Sequence, residues 1–110
     1  MKNTALARKT AIDILDPVEI DPKHFSVEYE NDAVRVFRVN IEPRGKTVMH
    51  DHANSVAVFL TDVRARFTYP DGKKENFTAT KNEAKYMPAG RMLPENLDNN
   101  PIELVVIELK

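Results

Sequence analysis

The sequence predicts an all-β domain built as a sandwich or barrel, and three observations carry that expectation. Short runs rich in β-branched and aromatic residues recur about every 8–12 residues, the spacing of all-β domains. Clusters of Pro, Gly, Asn and Asp separate them, and no stretch shows the apolar stripe of an amphipathic helix.

The elements follow in order. Residues 1–22 form an N-terminal arm: 1–13 lack a strong period, and Asp16-Pro17 and Asp21-Pro22 disfavour helix at the residue before each proline. Residues 23–110 form the barrel domain. Phe25, Val27 and Tyr29 alternate with Ser26, Glu28 and Glu30 as a half-buried strand, and Asn31-Asp32 turns the chain. A β-branched strand covers Val34–Ile41 and stops at Pro43-Arg44-Gly45. After the loop Ala53-Asn54-Ser55, Val56–Leu60 reads as a buried strand. Val63, Ala65, Phe67 and Tyr69 alternate with Arg64, Arg66 and Thr68, and this places Arg64, Arg66 and, on the earlier strand, Arg38 on outer faces. Tyr69-Pro70-Asp71-Gly72 is a turn, since proline presets one φ and Gly72 accepts a positive one. Phe77 and Ala79 lie on the return strand. Lys81-Asn82-Glu83 turns again, Lys85-Tyr86-Met87 enters a bend at Pro88-Ala89-Gly90, 96–101 is a polar loop, and Ile102–Leu109 closes the domain.

At 110 residues the chain suits one hydrophobic core, and 42% apolar residues are enough to fill it. A net charge of −1 offers no general attraction for nucleic acid or an anionic membrane surface, so neither is an expected partner. Cysteine is absent, which removes disulfides, thiolate sites and zinc ribbons and fits a cytoplasmic location. No apolar run is long enough to span a bilayer. Residues 1–15 carry Lys2, Arg8 and Lys9 without a continuous apolar segment, so a secretory signal is not expected.

Candidate chemistry centres on Gly45-Lys-Thr-Val-Met-His50-Asp-His52. Residues i and i+2 of a strand share a face about 6–7 Å apart, so His50 and His52 can converge on one ligand or metal. Asp51 then faces the other way and is expected in solvent. His24 has no partner in sequence and is expected at the surface. Tyr86 is a candidate pocket residue, whereas Phe59 and Phe67 read as plain core. No phosphate loop, dinucleotide fingerprint or nucleophile elbow is present. A triad of Ser55, His50 and Asp51 fails because adjacent strand residues cannot supply its geometry.

Together these residues resemble a small single-domain cupin, a double-stranded β-helix related to jelly-roll barrels of two antiparallel sheets. The likeness runs from about Val34 to Lys110. Gly45, His50 and His52 match the first cupin motif, with Ser55 or Val56 where its glutamate stands and Asp62 at its second glycine. Pro88, Gly90 and Asn96 match the second, with Met92 in place of its histidine. The resemblance implies a cavity holding His50, His52, Ser55 and Met92. Cupin metal sites typically use three His and one Glu, so this chain retains two of four ligands. Methionine is soft, suited to Cu(I) more than to divalent metals. The expected site is therefore weak and incomplete, with no tightly held cofactor. The resulting expectation is a small-molecule-binding homodimer. The alternatives are a metal-dependent oxygenase or isomerase using His50 and His52, and a structural or regulatory dimer.

Overall fold

The computed structural model describes residues 14–110. Among these residues nine strands form two antiparallel sheets: β1 (Phe25–Glu30), β2 (Val34–Ile41), β3 (His50–His52), β4 (Ser55–Phe59), β5 (Val63–Thr68), β6 (Lys74–Ala79), β7 (Ala84–Met87), β8 (Gly90–Asn96) and β9 (Ile102–Leu109). One sheet has the order β1-β2-β9-β4-β7 and the other β3-β8-β5-β6. This is the two-sheet barrel that the sequence predicts.

Alternation decides what each strand buries. Phe37, Val39 and Ile41 of β2 point inward opposite Ile102, Leu104 and Val106 of β9, in a register running unbroken from Val34–Leu109 to Ile41–Ile102. Ala57 and Phe59 of β4, and Val63, Ala65 and Phe67 of β5, complete the core with Phe25, Ala79 and Met92. At one end of the barrel, Arg35 takes the inward position beyond Phe37. Its Nε donates to Glu108 at 2.7 Å and its two terminal nitrogens donate to Asp16 at 3.0 Å, so this end is closed by a paired ion cluster.

The turns obey local rules. Gly72 adopts φ +87° and its N–H donates to the Tyr69 carbonyl, as the Pro-Asp-Gly sequence requires. At Pro43-Arg44-Gly45 the left-handed residue is Arg44, φ +61°, and not the glycine. Gly45 instead leaves room for the Glu42 side chain, which would have to move if a Cβ stood there.

Two elements depart from the sequence reading. A four-residue helix, α1 (Pro17–Ile20), forms within the arm; Asp16 is its N-cap, accepting from the Val18 N–H at 3.2 Å, and Pro17 sits in its first turn, where a missing N–H costs nothing. Leu15 and Asp51 exchange two hydrogen bonds, N–H to carboxylate at 2.9 Å and N–H to carbonyl at 2.8 Å, which stitch residues before α1 to β3. The second departure is β8, a strand despite Pro94. Pro94 lies where β8 has left β3 and pairs with β5, opposite Phe67. Its carbonyl accepts from Thr47, so its missing N–H falls on the irregular side of the ladder.

Candidate functional site

The two histidines lie on β3, whose partner is β8: His50 stands opposite Met92, Asp51 opposite Arg91, and His52 opposite Gly90. The inner faces of both sheets enclose a cavity of about 90 Å³ lined by His50, His52, Ser55, Met87 and Met92 together with core side chains, Phe25, Phe59 and Phe67 among them. His50, His52, Ser55 and Met92 thus share one cavity wall.

His50 is 4% exposed, and its Nδ1–H donates to the Val48 carbonyl at 2.8 Å. That bond fixes the ring and leaves Nε2 with a lone pair. Phe25 meets the ring edge-on, with centroids 4.9 Å apart. Burial lowers the pKa of His50 and, separately, of His52, so both rings are neutral at pH 7. His52 packs over Gly90 and also lines an open outer groove shared with Asp16, Pro17, Arg35 and Glu108. The ring thus stands between the cavity and the outside.

Three expectations are corrected. Tyr86 is 58% exposed and lies outside the cavity, because alternation along β7 turns Met87 inward and Tyr86 outward. Asp51 does face away from the histidines, but it is not simply solvated. Arg91 donates to both of its oxygens at 2.6 and 3.0 Å and, with the Leu15 N–H, holds its carboxyl below the usual range. His24 is buried, 7% exposed, and not at the surface. Its Nδ1 faces both Asp21 oxygens at 2.8 and 2.9 Å and its Nε2 faces Glu42 at 2.7 Å. Lys23, and then His24, hold Glu42 down at about 2. Residue 24 is carried there by the turn after α1 and by the Asn40 N–H donating to its carbonyl.

The sequence reading missed Met87 and Phe25 as cavity walls and set Phe59 and Phe67 aside. Strand parity was the available signal for Met87: once β4 and β7 pair Ser55 with Met87, the residue before Met87 must face outward. The Asp21, Glu42 and Arg91 contacts are long-range or depend on α1, and no local pattern announces them.

The donor set does not match the three-His-one-Glu sites of the resembled family. Two neutral imidazoles are accompanied in the cavity by two thioethers and a hydroxyl, and among the described residues no carboxylate lines it. Among the described residues no group of three or more His, Cys, Asp or Glu is placed to hold a metal ion.

Comparison with known proteins bears on the fold. No protein-family model matches the chain, and no curated protein does. Among solved structures, the chain is similar to a cupin domain from Bordetella pertussis Tohama I, with TM-score 0.72 and 25% identity over 78% of this chain and 91% of that one. It is also similar to an RmlC-like cupin family protein from Methanocaldococcus jannaschii, with TM-score 0.59 and 16% identity over 82% and 84% of the two chains. A chain from the crystal structures of the DMSP lyases RdDddP and RnDddQII matches with TM-score 0.53 and 16% identity, over 73% of this chain and 40% of that one. The chain is a small cupin by fold, an RmlC-like double-stranded β-helix. Among the described residues no helix is long and apolar enough to cross a membrane.

Proposed function

We propose that this cupin binds a small organic molecule in the cavity between its sheets and does so without a tightly held divalent metal. The observation that carries the reading is the composition of the cavity wall. Met92, at the position of the resembled family's third histidine, and Ser55, near its glutamate position, both line the cavity, and among the described residues the only titratable side chains lining it are His50 and His52. Two neutral imidazoles bring no charge to offset a dication, and thioethers add little affinity for one. Elemental analysis of protein prepared without a His-tag or chelating resin tests this. The expected result is far less than one equivalent of Fe, Mn, Ni or Zn, rising in the double variant Met92→His with Ser55→Glu. Near-stoichiometric metal in the wild type overturns it.

One observation favours a second reading, a metal-dependent oxygenase or isomerase. The His50–Val48 hydrogen bond orients the ring as outer partners orient metal-bound histidines, with Nε2 turned out as a ligand. The same elemental analysis separates the two readings. We also propose that the chain is a homodimer. Strand β1 is the outer strand of its sheet, and Val27 and Tyr29 lie exposed along it, leaving an edge that a second copy can cover.

A further inference from the structure

We propose that the cavity ligand is a small neutral alcohol, its hydroxyl bonded by His50 Nε2 and Ser55 Oγ and its hydrocarbon part packed on the aromatic and thioether walls. This rests on the small-molecule reading above and narrows it to a chemical class.

Charge is the first constraint. Among the described residues no charged side chain lines the cavity. The nearest ion cluster is internally satisfied: Arg35 is taken by Glu108 and Asp16, and Asp51 by Arg91. An anion entering would lose its hydration and meet no cation, and an ammonium would meet no carboxylate, each at a cost that burial makes large.

Open hydrogen-bonding capacity is the second. Ser55 and His50 are 2% and 4% exposed, and both line the cavity. His50 spends its Nδ1–H on Val48, so what it offers inward is an acceptor. Among the described residues neither His50 Nε2 nor Ser55 Oγ has a hydrogen-bond partner. Buried polar groups are ordinarily paired, so two open ones facing the same space call for an occupant that supplies a donor and an acceptor. A hydroxyl is both; an ether or ketone offers no proton to the imidazole.

Size is the third. At about 90 Å³ the cavity is smaller than the roughly 150 Å³ of an apolar cavity that holds benzene, so the ligand has fewer heavy atoms than benzene, about four or five. His52 borders both the cavity and the outer groove.

The test compares four compounds of similar size on the full chain: 1-butanol, its isomer diethyl ether, butyrate and butylammonium. Binding is followed through the methyl resonances of Met87 and Met92, which report from inside the cavity. The expected result is that butanol shifts both methyls and binds about tenfold tighter than the ether, the worth of one hydrogen bond. Both ions bind more weakly than either neutral compound. Ser55→Ala and His50→Leu bring butanol to the level of the ether, and the wild-type isomer comparison stands if either variant fails to fold. Equal affinity for butanol and ether overturns the alcohol inference and leaves the small-molecule reading intact, and tightest binding of either ion also overturns it. No methyl shift with any compound at about 50 mM, well above the millimolar range that five heavy atoms reach at moderate ligand efficiency, overturns the small-molecule reading itself.

Discussion

Asn96 gives the sharpest test of how the barrel holds its histidine strand. The side chain is completely buried. Its Nδ2 lies 2.8 Å from the Asn100 carbonyl, 3.2 Å from that of Glu42 and 3.3 Å from that of Ile41, and its Oδ1 accepts from the Asp98 N–H at 2.9 Å. Its backbone N–H donates to Gly45. One residue therefore ties the end of β2, the segment leading to His50 and the loop before β9. An amide has two N–H groups, so the side chain makes about three full bonds. At about 1 kcal/mol net each, Asn96→Ala costs about 3 kcal/mol, with more to come if the Asp98 N–H is left unpaired. Against a typical total of about 5–15 kcal/mol that is a large fraction. Asn96→Asp has nearly the same shape but turns an oxygen toward three carbonyls and buries a charge with no cation beside it. It should cost about 3–5 kcal/mol near pH 7, more than alanine, and recover as the pH falls and the carboxyl gains a proton to donate. Urea unfolding followed by far-UV circular dichroism measures both. An alanine variant within 1 kcal/mol of wild type, or an aspartate variant no worse than alanine at pH 7, refutes this account of the site's support.

Other outcomes follow from the same geometry. Burial lowers the pKa of His50 and of His52 from an unfolded value of 6.5, so the native state binds fewer protons than the unfolded chain. Their contribution is fully present above pH 6.5 and is lost as the pH falls through the lowered folded values; a His50→Gln, His52→Gln variant with an undiminished slope of stability against pH refutes this. Tyr86→Ser should change stability by less than about 0.5 kcal/mol and leave cavity binding untouched, whereas Met87→Ala should cost about 2 kcal/mol and alter it. Equal effects from the two substitutions, measured by denaturation and titration, contradict the placement of β7. Light scattering should give twice the 12.5 kDa chain mass, and a monomer at micromolar concentration removes the dimer proposal.

The strands were legible where periodicity was strict. Val34–Ile41 and Ile102–Leu109 are predicted with their observed bounds because each carries its own alternation or apolar run. Strand β8 was not, since residues 91–95 carry no strict alternation and include a proline; only the departure of β8 from β3 at that point makes a proline cheap there. The site was half legible. The resemblance to the cupin motifs grouped His50, His52, Ser55 and Met92, because the motif fixes which strand positions face inward. It did not place Tyr86, whose orientation depends on the parity of a four-residue strand set by pairing with β4.

His24 shows why the remainder was hidden. Its environment is assembled from Asp21 at the end of α1 and Glu42 past the end of β2, two residues that sequence distance separates and the pairing of β1 with β2 reunites. Gly45 belongs to that assembly, because any side chain there would displace the Glu42 carboxylate that meets His24. The glycine that matches the cupin motif thus serves a contact on the flank of the cavity: His24 precedes Phe25, and Phe25 packs edge-on against His50. The polar cluster around His24 and the apolar wall around His50 are joined through one peptide bond. A pattern of single residues along the chain cannot show that connection; a register between strands can.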